Sequence, residues 1–315
     1  MQILQNRWEN KGKNMSDITV LTPSYNRGEL LKKLYKSLCS QKNKSFEWVI
    51  IDDGSTDKTE NYVNQMIKEA DFPIRYYKKV NGGKHTALNY SYNYIETPLT
   101  FIVDSDDTLT VDAIAKIQEK YNKYKDEKDL CGFSFLRGKP DGGYLSTSGV
   151  PKDGMKETYV ECRSNRNIGG DMAEVWYTHC LKEYPFPEFD GEKFLGEDVV
   201  WIRMAEKYKM RFFDDVIYIS DYLEGGLTQN RRKHNIESPL GCMERASAFL
   251  NSKSNIKAKV KAALQYQIYG RFASIERISM LKKTNNKGLF FLMYFPGAII
   301  YKKWKKNYKE CFAKK

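Results

Sequence analysis

Several things are scarce or missing from these 315 residues, and each absence removes a class of function. The six cysteines, Cys39, Cys131, Cys162, Cys180, Cys242 and Cys311, are widely scattered. They form no C-x-x-C pair and no Cys/His zinc spacing, which argues against a disulfide framework or structural zinc and for a reducing compartment. No G-x-G-x-x-G follows the first apolar run, and Pro23 stands where a glycine loop would be, so a nicotinamide dehydrogenase is not indicated. The "GGKHT" stretch at 82–86 lacks the spacing of a phosphate loop, which disfavours an ordinary NTPase. The opening "MQILQNRWENKGKNMSD" has neither the apolar core nor the cleavage site of a secretory signal, predicting a protein kept inside the cell. Residues 1–14 precede the first apolar strand and read as a flexible extension.

What is present is a globular composition, 41% hydrophobic and 14% aromatic, enough for one large core. The net charge of +12 is unevenly placed. Residues 251–315 carry 16 Lys/Arg against two acids, Glu276 and Glu310, leaving 36 basic and 38 acidic residues before them. A near-neutral body with a basic tail points toward an anionic surface such as a membrane rather than toward nucleic acid.

Along the body, apolar runs alternate with amphipathic stretches. Strands are predicted at 17–22, 46–52, 74–79 and 99–104, with helices at 28–41, 57–70, 84–95 and 110–125. This order implies a mainly parallel, doubly wound, Rossmann-like sheet, whose ligand sits beyond the carboxyl ends of the strands. Three strand ends carry the polar residues: "TPSYNR" (22–27), "DDGSTD" (52–57) and "DSDD" (104–107).

Asp104, Asp106 and Asp107 crowd the end of an apolar run, and like charges so close need a positive partner. The D-x-D at 104–106 suits a hard divalent cation, Mn²⁺ or Mg²⁺, which takes one or two carboxylates plus the phosphates of a substrate. The alternative is that Asp106 or Asp107 merely caps the helix from Thr110. Gly82 and Gly83 allow a close approach to the sheet edge, and Lys84 at a helix start can meet an anion there; the alternative is a plain glycine turn, with Asn89 solvated on a helix face.

Taken together, "TVLTPSYNR", "WVIIDDGSTD", "NGGKHTALN" and "FIVDSDD", in that order over residues 17–125, resemble the amino-terminal half of the family 2 glycosyltransferases, which have the GT-A fold. "GEDVVW" (196–201) is similar to that family's later acidic motif. The resemblance implies a GT-A domain over 15–250, with a nucleotide-sugar-binding half (15–125) and an acceptor half (126–250). It implies that Thr22, Pro23 and Tyr25 lie beside the nucleotide, that Asp53 accepts a hydrogen bond from the base, as a uracil imide would offer, and that Asp104 and Ser105 flank the ribose or the metal's outer shell. Asp106 would be the direct metal ligand.

Glycosyl transfer to a hydroxyl needs a base and a stabiliser for the departing diphosphate. Glu197 and Asp198 stand where acids favour a helix amino terminus, but similarity to the acidic motif makes Asp198 the base, with Glu197 as alternate, in a direct, inverting displacement. Trp176 is either a stacking platform for the acceptor or a core residue. "GLTQNRRKHN" (226–235) reads as a loop able to close over a diphosphate, with Arg231 or Arg232 making the contact. It departs from the family's Q-x-x-R-W pattern, since Lys233 replaces Trp, and Val111 stands where a proline often follows the D-x-D. Addition of a single sugar is therefore expected rather than processive polymerisation.

The apolar run "GLFFLMYFPGAII" (288–300) is 13 residues long, too short to span a bilayer, and is followed by "YKKWKK". This suits a basic helical tail, 251–315, lying peripherally on the inner membrane face near a lipid-linked acceptor; the alternative is a buried carboxy-terminal helix with a solvated basic end. The whole reads as an inverting, metal-dependent transferase moving a sugar, from UDP in the favoured case, to a glycan or lipid-linked hydroxyl in cell-surface polysaccharide synthesis. The rival readings are an idle nucleotide- or sugar-binding module and a nucleic-acid binder using the tail.

Overall fold

A computed structural model of the chain describes residues 3–5, 16–145, 149–220 and 231–311. They form two compact units, 1–157 with 168–185 and 208–221, and 158–167 with 186–207 and 222–315. The division does not follow the expected boundary at 250. Segments 158–167 and 186–207, expected in the acceptor half, group with the tail.

The first unit is built on a mixed sheet. In chain order its elements are β1 (Ile3–Gln5), β2 (Ile18–Ser24), α1 (Gly28–Cys39), β3 (Phe46–Asp52), α2 (Thr59–Glu69), β4 (Ile74–Lys78), α3 (Lys84–Ser91), β5 (Leu99–Ile102), β6 (Thr108–Leu109), α4 (Ala113–Tyr124), β7 (Leu130–Gly138), β8 (Met155–Glu157), β9 (Met172–Tyr177), α5 (Thr178–Glu183) and β10 (Lys209–Ile219). The strand order is β1-β4-β3-β2-β5-β9-β7-β10-β6, with β8 on β10. β4, β3, β2 and β5 are parallel neighbours, as the alternating pattern predicts. β9 then enters antiparallel to both β5 and β7, after which β7 and β10 run parallel again, so the sheet is mixed around a parallel β4-β3-β2-β5 block.

The apolar runs make strands because they are buried on both faces: every residue of β2 is buried, and so is β3 apart from Glu47. α1 presents Leu31, Leu34 and Leu38 to the sheet at helical spacing. The chain runs outward through β2, β3 and β4, then returns to the other side of β2 as β5. That reversal puts a topological switch point at the carboxyl ends of β2 and β5, where open α/β sheets hold ligands. β1 falls inside the expected flexible extension. It pairs with β4, whose backbone would otherwise be an open sheet edge; the rest of 1–15 lies outside the described residues.

The second unit contains α6 (Asp198–Met204), α7 (Arg231–Glu237), α8 (Pro239–Asn251), α9 (Ile256–Phe272), α10 (Arg277–Lys283), α11 (Lys287–Leu292) and α12 (Tyr294–Asn307). Met243, Ala246, Tyr266, Tyr269, Met280 and Phe290 form one buried cluster, with Trp304 packed against it. The apolar run at 288–300 is thus helical, and part of it is core. Among the described residues no helix is long and apolar enough to cross a membrane.

Because Phe290 is almost fully buried, Phe290→Ala should destabilise the chain by about 3–5 kcal/mol, measured by chemical unfolding. A loss under about 1 kcal/mol would mean that α11 is not part of the core.

Candidate active site

The site in the first unit is best built from its acids. Asp53 follows β3 with its side chain buried. One oxygen accepts from Lys79 Nζ at 2.8 Å and from the Gly82 N–H at 2.9 Å. The other accepts from Asn81 Nδ2 at 3.0 Å and from the Gly83 N–H at 2.7 Å. A carboxylate has about four acceptor positions, and all are used. Expected beside the base, Asp53 is engaged here in pinning the turn that precedes α3. Gly83 sits at φ 96°, a conformation that favours glycine, and hands the chain directly into α3 at Lys84.

That turn aims Lys84 at Asp104, 2.5 Å away. Two residues on, Asp106 is paired with Arg27, which lies just before α1. The positive partners that the acids demand are thus side chains of the same chain. Asp107 goes inward, accepting from the Tyr218 hydroxyl at 2.7 Å, while the Tyr218 oxygen accepts from the Asp104 N–H at 2.9 Å. Arg137 lies over the Tyr218 ring at 4.0 Å, with Nη1 3.8 Å from Asp107. Neither Asp106 nor Asp107 caps a helix, since α4 begins at Ala113 after Asp112.

The electrostatics follow from the partners. Burial opposes charge on Asp104, but Lys84, Arg137 and Arg27 prevail and hold its carboxyl below the ordinary range. Burial and the neighbouring Asp104 push Asp107 the other way, up to about 7, against its Tyr218 hydrogen bond and Arg137. Arg137 stays charged despite burial, sustained by Tyr218, Asp104, Glu174 and Asp107.

Other expected residues fall in different places. Thr22 is fully buried and its hydroxyl accepts from Trp48 Nε1 at 3.0 Å, so its side chain serves the core. Pro23 and Ser105 are buried, while Tyr25 is exposed beyond the end of β2. Asn26 ties that end to the next strand's loop, accepting from the Thr56 N–H at 2.8 Å. Trp176 is buried in β9, which excludes a stacking platform. His85 is buried on α3.

In the second unit, Glu197 precedes α6 and Asp198 opens it. Arg245 of α8 grips both Asp198 oxygens, with Nε 2.5 Å from Oδ1 and Nη2 on Oδ2. Arg232 lies in a helix, not a loop, with its guanidinium 4.7 Å from the Trp304 ring centre. Residues 221–230, including Gln229, lie outside the described residues.

Among the described residues no three His, Cys, Asp or Glu side chains gather as a metal cage. Asp106, about a quarter exposed, offers one carboxylate. That fits Mn²⁺ or Mg²⁺ drawing its remaining ligands from a diphosphate and water, as Mg²⁺ commonly does.

The family model described as "Glycosyl transferase family 2" matches residues 19–158. A Campylobacter jejuni protein, GalNAc(5)-diNAcBac-PP-undecaprenol beta-1,3-glucosyltransferase, is 32% identical over 305 residues, covering 91% of this chain and 92% of that one. The chain belongs to glycosyl transferase family 2. Two other curated relatives of this glycosyltransferase are far longer, and the chain spans 15% of each. Among solved structures, S. aureus TarS 1-349 in complex with UDP-GlcNAc matches with TM-score 0.56 at 18% identity, over 88% of this chain and 79% of that one. Mannosyltransferase PcManGT from Pyrobaculum calidifontis, in complex with GDP-Man and Mn2+, matches with TM-score 0.56 at 17% identity, over 95% and 88%. At these identities the two structures establish the GT-A fold of this glycosyltransferase.

Arg27, Arg137 and Tyr218 were not singled out in the sequence. Arg27 stood inside a quoted motif; Arg137 and Tyr218 carried no local signal, because their partners lie on distant strands.

Asp107 yields a pH signature. An aspartate unfolds to about 3.9, so between pH 4 and 7 the folded chain keeps a proton that the unfolded chain has lost. Stability contributed by Asp107 should therefore fall as pH rises through that window, by up to about 1.4 kcal/mol per pH unit, and level off above it. In Asp107→Asn this component of the slope should vanish, measured as the wild-type minus variant difference in urea midpoint at pH 5 and pH 8. Equal slopes would show that Asp107 ionises normally.

Proposed function

We propose that this family 2 glycosyltransferase moves one sugar from a nucleotide-diphosphate donor, a UDP-sugar in the favoured case, to a hydroxyl of a glycan or lipid-linked acceptor in cell-surface polysaccharide synthesis. The observation that carries the donor half is the cation set of Arg27, Lys84 and Arg137 around Asp104, Asp106 and Asp107 at the sheet's switch point. A diphosphate needs such cations, and a divalent metal needs such an acid. Support for the donor and acceptor classes comes from relatives: the solved neighbours hold UDP-GlcNAc and GDP-Man, and the Campylobacter protein's name includes an undecaprenol-linked glycan.

In this reading the nucleotide lies against Pro23 and Tyr25, and Asp104 and Ser105 flank the ribose. Asp106 holds Mn²⁺ or Mg²⁺, which when bound supplies positive charge for the leaving diphosphate. Lys84, at the amino end of α3, adds its own charge and that helix's partial positive end. Arg27 and Arg232 are the further cations offered to the phosphates. Asp198 accepts the acceptor's proton, with Glu197 as alternate, and direct attack inverts the anomeric centre. Arg245 uses one acceptor position on each Asp198 oxygen and leaves the others open. In place the enzyme works peripherally at the inner face of the membrane.

A panel of nucleotide sugars, assayed for diphosphate release with Mn²⁺ and with chelator, tests the donor half. Asp106→Asn should nearly abolish metal-dependent release while costing under about 1 kcal/mol of stability, since its pairing with Arg27 is partly exposed. Full activity in excess chelator would overturn the metal assignment.

The base is tested by Asp198→Asn beside Glu197→Gln. Loss of the base should lower the transfer rate by roughly 10²-fold or more with donor affinity kept. Asp198→Asn also frees Arg245, so its melting temperature should fall as well. If Arg245→Gln matches that melting loss yet retains transfer, the rate effect of Asp198→Asn belongs to the base. If only Glu197→Gln is inactive, the base is one residue earlier.

A further inference from the structure

We propose that the outward face of α11 and α12 is a docking surface for an anionic lipid bilayer, with Leu292, Phe295 and Ile299 entering the headgroup boundary and Lys302 and Lys306 meeting lipid phosphates. This deepens the reading of place given above and rests on it.

The inward face of these helices is committed. Phe290 is buried with Tyr266 and Met280, and Trp304 packs against that cluster. At Gly297 an added Cβ would stand 2.5 Å from the Gln267 Cβ of α9, so α12 touches α9 there with no room for a side chain. Gln267 also donates to the Phe290 carbonyl at 2.9 Å, and Arg271 to the Tyr294 carbonyl at 3.1 Å. These contacts hold the junction of α11 and α12 from both sides, so the rotation of α12 about its axis is set.

The opposite face then has no choice of direction. Phe295 is 74% exposed, Ile299 68% and Leu292 62%. Phe295, Ile299, Lys302 and Lys306 follow at spacings of four, three and four, one stripe of the helix. Both lysines are exposed, as are their neighbours Lys303 and Lys305. Large apolar side chains standing in water beside a row of cations match an interfacial helix, which buries its apolar side shallowly and gains from anionic lipid.

A second copy of the chain is the weaker occupant. A two-fold contact apposes one patch with itself, which would bring Lys302 and Lys306 of two chains together. The face asks for a partner both apolar and negative, and the surface of an anionic bilayer is both.

The test is flotation of the full chain with vesicles of phosphatidylcholine alone and of phosphatidylcholine mixed with phosphatidylglycerol. Wild type should float with the mixed vesicles. Phe295→Ser with Ile299→Ser should lose most of this binding, and Lys302→Gln with Lys306→Gln should lose about tenfold or more. Lys257→Gln with Lys261→Gln, which removes equal charge from exposed positions of α9, should bind nearly as wild type. All three pairs lie on the surface, so unchanged melting temperatures are expected to accompany them. If the α9 pair weakens binding as much as the α12 pair, or if the Phe295 and Ile299 pair binds like wild type, this face is not the docking surface, although the membrane reading stands. If wild type floats with neither vesicle, both fall, while diphosphate release tests the chemistry separately. If the chain is a dimer that the α12 substitutions dissociate, the face belongs to a second copy.

Discussion

The first unit depends on one electrostatic constraint: three carboxylates within four residues must be kept at the end of a buried strand. Each is answered by a different cation or donor, and the answers come from far along the chain. Arg27 precedes α1, Lys84 opens α3, Arg137 ends β7 and Tyr218 ends β10. Removing Arg137 or Tyr218 leaves the buried Asp107 with less compensation than its burial requires. The antiparallel entry of β9 has its purpose here, because it sets β7 and β10 beyond β5 and so brings Arg137 and Tyr218 to the same edge.

Asp53 acts one step earlier in the same chain of charges. It gathers Lys79, Asn81, Gly82 and Gly83 into a turn, and that turn delivers Lys84 to Asp104. Two acids at the ends of β3 and β5, the strands on either side of β2, are thus linked through one glycine loop. A donor diphosphate arriving at this edge would meet cations whose positions are held by carboxylates, so little reorganisation is needed when charge develops on the leaving group. The acids thus order the cations at this edge, and Asp106, paired with Arg27, keeps about a quarter of its side chain exposed.

Much of this was legible in the sequence, for identifiable reasons. Doubly buried strands and amphipathic helices leave periodic signals, so the order of elements from β2 to α4 could be read almost directly. The four motifs marked the family and the sheet edge where the acids and their cations gather. What stayed hidden was direction and distance. Thr22 and Pro23 alternate across the strand, and sequence does not say which faces Trp48. Asp53 looked available because its four donors are made by a turn 26–30 residues later. Arg137 and Tyr218 were unreadable because strand pairing, not sequence proximity, brings them to Asp107.

The tail shows the same division between composition and geometry. Its charge was countable, but a count cannot tell a solvated basic helix from one that also carries core. In the 288–300 run one side of the helices is core, at Phe290, and the other is exposed, at Phe295 and Ile299. Gly297, which in the sequence looks like an interruption beside Pro296, is the point of closest approach to α9. A glycine there removes the side chain that would hold the helices apart, and by fixing the inward face it determines which residues are left outside. The exposure of Phe295 and Ile299 is thus a consequence of packing on the other side of α12, not an accident of a loosely held terminus.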